Sequence, residues 1–413
     1  MLFKPKKTHE KPTSVTRIFL IILFAIIVDQ SLDSVLLESI VPIDPTGLIS
    51  NIFLSVCIPC ALFLASLSDF HCRRRILLFA LASLLLSGTL ISYFNAFGGN
   101  WIAYTALACK GIGGNVTPIA LASLATIVSP KKFTISLAVA ICAYSLGSWV
   151  PIYLRSFEDL ALSATALTLA CILIAVKWFK ETEFDDFKLK NNNLNLKHFF
   201  TFAWKDWKLI ALFCALTPVI LVISGFVFSE ISFYQILLRG EVLNVNEFYS
   251  NISLKFGLSY YVGTGILCIL KSKNVPDIKC LKLGITIALL SIITASILAY
   301  IPVADLFSQN LMLCTTSIGF SLLTPSLFSM LSKIRKLDEQ GKIYGLLDST
   351  DTLSILVVTK YIKSSKSVTY NHILWISSTI LLISGIFILS FIYYIKNLRY
   401  RNEHPASRKK GPR

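Results

Sequence analysis

The sequence predicts an all-α polytopic membrane protein whose twelve transmembrane helices form two six-helix halves. Three observations lead there. Of the 413 residues, 54% are hydrophobic and only 15% are charged, against roughly 25% charged in an average soluble domain. Apolar runs of about 20 residues, each able to cross a ~30 Å hydrocarbon core as a helix, recur from Arg17 to Ile395. The basic residues cluster between those runs, in alternate connections.

Taken in order, the apolar windows place spans at 17–41, 46–68, 76–97, 101–127, 133–154, 158–179, 208–237, 250–270, 281–304, 309–333, 341–362 and 372–396. This divides the chain into a tail (1–16), a first half (17–179), a central loop (180–207), a second half (208–396) and a basic tail (397–413). No small-residue cleavage site follows the first run, so span 1 is expected to be retained. With the amino terminus inside, 32 of the 39 Lys and Arg residues fall on the cytoplasmic side, five outside and two within spans. That asymmetry places both termini in the cytoplasm. Lys360, Lys363 and Lys366, after span 11, run against it.

A charge at the bilayer centre costs about 2.5 to 3.5 kcal/mol on insertion scales, so ionisable residues within spans are candidates for function. Span 1 carries Asp29 and Asp33, four apart and on one face, with Glu38 a turn beyond. The short connection after span 2, "ASLSDFHCRRR", sets Asp69 just before Arg73, Arg74 and Arg75. Span 4 holds Lys110 at a depth matching Asp29, followed by "IGGNVTPIALASL" with Gly113 and Pro118. The central loop has an acidic stretch, an Asn run and an amphipathic segment suited to the inner leaflet. Glu230 lies near the outer end of span 7 and Lys255 near that of span 8, where a structural or solvated role is the simpler reading. Span 10 reads "IGFSLLTPSLFSML" with Pro325, and span 11 carries Asp348 and Asp351. Spans 4 and 10 thus share Ile-Gly and Thr-Pro at corresponding places in the two halves, as in transporters built from repeats around a midplane site. Prolines and glycines of this kind suit a gate that bends, and they also occur in inert membrane helices.

Several classes are disfavoured. The net charge of +16 lies in loop clusters and not in a basic, aromatic-interleaved domain, so nucleic acid is not an expected partner. The ten cysteines lie mostly within apolar runs and imply no disulfide framework; Cys57 and Cys60 form an isolated CxxC. The five histidines lack metal spacing, no phosphate-binding loop occurs, and no catalytic cluster is visible. No cofactor, metal or enzymatic activity is expected. Asn251-Ile-Ser253 matches a glycosylation sequon, which chance explains equally well.

The Asp69 to Arg75 stretch resembles the signature Gly-x-x-x-Asp-Arg-x-Gly-Arg-Arg of the major facilitator superfamily, with Ala65, Phe70 and Cys72 departing from it. "LDSVLLESIVP" in span 1 is similar to a pattern of facilitator exporters, with Glu38 in place of Asn, and "KGIGGN" to the span 4 motif, with the cation shifted to Lys110. "GKIYGLLDS" and "KWFKETE" match family segments at their places. The span 5 antiport motif survives only as Gly147 and Pro151 in "GSWVPIYLR".

The resemblance implies spans 1, 4, 7 and 10 around a central cavity, with Asp29 or Asp33 opposite Lys110, and span 11 to the side. It also implies that Asp69 and Arg73 to Arg75 latch the halves on the cytoplasmic side, with Asp69 facing the start of span 11 near Gln340 and Gly341. The expected protein is a secondary transporter, coupled to protons or another ion, that moves a small polar solute such as an amino acid by alternating access. Asp29, Asp33, Lys110, Asp351 and Glu230 are the candidate solute and coupling groups; the competing reading of Asp29 and Lys110 is a static ion pair. Efflux of a drug or siderophore-like metabolite by proton antiport, and a non-transporting receptor or scaffold, are the alternatives. A monomer in a bacterial inner membrane is expected, from the short loops and tails.

Overall fold

The computed structural model describes residues 12–40, 48–154, 160–179, 245–298, 306–334 and 339–364, with 379, 380, 383 and 385. They form helices α1 (Pro12–Ile40), α2 (Leu48–Phe70), α3 (Arg73–Phe97), α4 (Asn100–Gly113), α5 (Val116–Ile127), α6 (Phe133–Leu154), α7 (Leu160–Trp178), α8 (Val245–Ser272), α9 (Asp277–Leu298), α10 (Leu306–Ile334) and α11 (Gln340–Ser364). No strand occurs among the described residues. Span 7 with Glu230, the central loop and the basic tail lie outside them, as does most of span 12.

Several helices begin earlier than their apolar runs. α1 starts at Pro12, five residues before the expected boundary at 17, because proline is pre-organised for a first helical turn and its missing N–H is not needed there. α9 starts at Asp277, where an acid complements the positive end of the helix dipole.

Span 4 is two helices. Pro118 lacks an N–H, so it cannot donate to the carbonyl of Gly114, and the helix is interrupted at Gly114 and Asn115. Asn115 turns its side-chain amide back onto the carbonyls of Ile112 at 2.7 Å and Gly111 at 3.2 Å. Its counterpart Pro325 lies inside the uninterrupted α10, so the Thr-Pro repeat breaks the helix in one half only.

The outside is apolar: Leu162, Leu173 and Leu290 are each about 60% exposed, while Asp29, Lys110 and Asp69 are buried. Five stretches, Val15–Asp33, Arg73–Phe97, Leu160–Trp178, Asp277–Ala295 and Leu311–Lys333, are long and apolar enough to cross a bilayer. Within the first half α1 packs on α6 and α7, and α3 on α4; within the second α10 packs on α8 and α9. At Gly284 and Gly319 the backbones of α9 and α10 approach so closely that a Cβ on either would strike the other helix.

The halves meet along α2–α11, α5–α11, α6–α8 and α6–α10. Gly341 and Gly345 of α11 lie on the carbonyls of Ala65 and Ala61 of α2, with no room for a Cβ. Ser349 donates to the Ile58 carbonyl at 3.0 Å.

Candidate functional site

The ionisable residues of α1 and α4 converge midway along the bundle. Lys110 Nζ lies 2.7 Å from Asp29 Oδ1 and 2.9 Å from Asp33 Oδ1. The four-residue spacing of the two acids sets both carboxylates on one face of α1, and the ammonium sits between them. Asp29 is held twice, because Thr117, one residue before Pro118, donates to its Oδ2 at 2.8 Å. Asp33 receives Gln30 Nε2 at 3.2 Å. The side chains of Lys110 and Asp29 are each 1% exposed, whereas that of Asp33 is 28% exposed. The break in span 4 brings Thr117 and Lys110 together: one lies in the first turn of α5, the other in the last turn of α4.

Further polar groups face this cluster. Asp348 of α11 is within electrostatic reach of Asp351, Asp29, Asp33 and Lys110. Tyr144 of α6 is within reach of Asp351, Asp33, Asp348 and Asp29. Tyr144 is exposed, and Asp33, Asp348 and Asp351 keep partial exposure. These groups gather where α1, α4 and α6 of the first half face α11 of the second. Span 11, expected to the side, brings Asp348 and Asp351 towards this cluster. Among the described residues no cluster of His, Cys, Asp and Glu has a metal-holding arrangement.

Gly113 packs on the backbone and side chain of Leu84 and so fixes α4 on α3. Sequence reasoning missed Thr117 and Tyr144, and noted Asp348 without choosing it; Thr117 carried a faint signal as the residue before a mid-span proline.

A second polar cluster closes one end of the bundle. Asp69 Oδ1 accepts the Gly341 N–H and Oδ2 the Lys342 N–H, both at 2.8 Å, so the carboxylate caps the amino terminus of α11. Arg73 lies 3.1 Å from Asp69 Oδ1 and donates to the Ala122 carbonyl at 2.8 Å and Thr126 Oγ1 at 2.9 Å. Arg74 reaches the Val176 carbonyl at 2.6 Å, and Arg75 is exposed. Asp69 and Arg73 thus join α2, α3, α5 and α11, while Arg74 ties α3 to α7.

Residues 14–359 match the sequence profile of the Major Facilitator Superfamily. The chain belongs to that superfamily. It is therefore an integral membrane transporter of the all-α, twelve-helix facilitator fold, and the superfamily's members carry small molecules and are not enzymes. Among curated proteins none matches the chain in sequence.

Solved facilitator structures share the fold at low identity. The human organic anion transporter MFSD10 (TETRAN) is 16% identical with a TM-score of 0.71, covering 91% of this chain and 98% of its own. A bacterial homologue of the iron transporter ferroportin, in its outward-facing state, is 13% identical with a TM-score of 0.73, covering 92% and 99%. The proton:xylose symporter XylE, bound to 6-bromo-6-deoxy-D-glucose, is 13% identical with a TM-score of 0.69, covering 92% and 96%. These solutes differ widely in charge and size, so the shared fold does not select among them.

Proposed function

We propose that this facilitator is a proton-coupled secondary transporter of a small polar organic solute bearing both a cationic and an anionic group, such as an amino acid. The carrying observation is the unequal burial of the two aspartates that share Lys110. Each has a donor on both oxygens, Asp29 from Lys110 and Thr117 and Asp33 from Lys110 and Gln30, but Asp29 is buried whereas Asp33 is partly exposed near Tyr144 and Asp348. A solute carboxylate reaching this cluster competes with Asp33 for Lys110. Once displaced from the ammonium, Asp33 is an ionised acid beside other acids, and taking up a proton relieves the repulsion. The solute's cationic group is met by Asp348 and Asp351. Solute and proton then load together, and rocking of the halves carries both across.

The basic residues of the α2–α3, α5–α6 and α8–α9 connections lie at the Asp69 end of the bundle, which supports a cytoplasmic position for that end by the positive-inside rule. Asp69 and Arg73 to Arg75 then act as the latch of the cytoplasmic side.

The test is flux in liposomes containing a pH-sensitive dye, with pooled amino acids, organic acids and organic cations presented separately. Amino acids should drive a pH change that Asp33→Asn abolishes while solute exchange at equilibrium persists. A solute that moves with no pH change, or a pH change that survives Asp33→Asn, would refute the coupling role.

A further inference from the structure

Asp348 stands eight residues past the start of α11, or about 12 Å along the helix, and hence within a span. Its backbone carbonyl accepts from Thr352, but among the described residues no group donates to its carboxylate. The helix on either side of it is fixed in register on α2, by Gly345 against Ala61 and by Ser349 donating to the Ile58 carbonyl. The charged groups within reach of Asp348 are three acids, Asp351, Asp29 and Asp33, and one cation, Lys110.

That cation is committed elsewhere. Lys110 Nζ sits between Asp29 and Asp33 at 2.7 and 2.9 Å. Cys57 of α2 occupies another of its flanks: a Cβ placed on Gly114 would lie 3.3 Å from Cys57 Sγ and 3.6 Å from Lys110 Nζ, so thiol and ammonium meet at the break in span 4. Cys57 is also within electrostatic reach of Asp348. A thiol is a weak donor and gives that carboxylate no substitute for a cation. An ionised acid within a span, with no donor and with three acids around it, is costly until a positive charge joins it. Asp348 keeps partial exposure, so a solute cation can reach it. Tyr144, 39% exposed and within reach of the same acids, adds an aromatic face of the kind that attracts organic cations.

We propose that the solute's amine, anchored on Asp348, is the group by which this site selects, and that the carboxylate is dispensable. The site then takes primary organic amines as a class, amino acids among them, and refuses carboxylates that lack an amine. The inference rests on the reading of the Asp29–Lys110–Asp33 cluster as part of the solute site and narrows it, without depending on proton coupling. The two ends of an amino acid meet unequal conditions. A carboxylate that reaches Lys110 exchanges one acid for another, because Asp33 already holds the ammonium. An amine at Asp348 forms a pair where the protein supplies none.

The test is equilibrium binding to the full chain in lipid nanodiscs at neutral pH, without a gradient, using two matched sets of probes. One set is leucine, 3-methylbutylamine, which lacks the carboxylate, and 4-methylpentanoate, which lacks the amine. The other is phenylalanine, phenethylamine and 3-phenylpropanoate. Losing the carboxylate should raise the dissociation constant about threefold or less, and losing the amine about thirtyfold, as for a hydrogen bond between charged groups. Asp348→Asn should weaken the two amines about thirtyfold and leave the two carboxylates where they were. Equal losses on removing either group from the amino acid would overturn the proposal, as would tighter binding of the carboxylates than of the amines. An unchanged preference for amines in the folded Asp348→Asn protein would overturn it too. The comparison on the unsubstituted protein decides even where that variant does not fold. No binding by any of the six would overturn the inference together with the amino-acid reading beneath it. Selective amine binding in a carrier that moves no protons in the liposome assay would support the inference and refute the coupling alone, so the two fail separately.

Discussion

Thr117 and Lys110 hold opposite oxygens of Asp29, at 2.8 Å and 2.7 Å, so each oxygen of that buried carboxylate already has a donor. Both groups flank the interruption that Pro118 imposes on span 4. The same irregularity that weakens the helix therefore builds the cradle around the acid. Asp33, one turn along α1, shares the ammonium but takes its second donor, Gln30 at 3.2 Å, from its own helix, and its side chain stays 28% exposed.

Thr117→Val leaves Asp29 Oδ2 without its described donor in a buried place. A loss of about 1–3 kcal/mol is expected for such a group, seen as earlier thermal unfolding in detergent. Flux should fall less than in Asp33→Asn, because Asp33 and Lys110 remain.

Lys110→Met removes the one cation from between two carboxylates. Breaking a buried pair from one side costs about 3–5 kcal/mol, so low yield and poor thermal stability are expected. Combining it with Asp29→Asn should recover much of the stability and none of the coupled flux. A single variant as stable as the parent would show that the ion pair does not hold α1 to α4.

Asp69→Ala takes the cap from α11 and leaves Arg73 without its acid. A helix cap is worth about 1 kcal/mol, and loss of the charge beside Arg73 adds to it. Lower thermal stability and a more accessible Asp69 end are expected, measured by proteolysis of the connection between α10 and α11.

Gly341→Ala inserts a Cβ into the carbonyl of Ala65, and Gly345→Ala inserts one into that of Ala61. Both should separate α2 from α11 with Asp69 still present. A conformational probe at the Asp69 end should shift as it does in Asp69→Ala; an unchanged probe would mean that this helix contact does not govern closure.

Pro118→Ala restores an N–H that can reach the Gly114 carbonyl and so favours a continuous span 4. It should move Thr117 away from Asp29 and depress flux, whereas Pro325→Ala, in a helix already continuous, should have a smaller effect on the same assay.

Apolar run length and basic clusters made the helices and their order legible in the sequence, because the bilayer imposes length and the connections carry the charge. Matched depth along two spans brought Asp29 and Lys110 into consideration together. Contacts that depend on rotation about a helix axis were less legible: a helix that meets lipid on one side and protein on the other is apolar nearly all round, so its sequence does not say which face turns inward. Thr117, Tyr144 and Asp348 are of this kind. The helix break at Gly114 could be placed from Pro118, yet the same dipeptide at Pro325 leaves α10 whole, which only the surrounding packing decides.

With its three groups ionised, the Asp29–Lys110–Asp33 cluster carries one uncompensated negative charge midway between two aqueous phases. A charge at that depth feels roughly half of the membrane potential, or about 1 kcal/mol at 100 mV. The energised membrane therefore acts directly on the cluster. Under the proposed proton coupling, an interior-negative potential drives protons from outside towards the aspartates and draws the ionised cluster outward, so recharging the cell electrically and acidifying its surroundings should bias this carrier in the same direction.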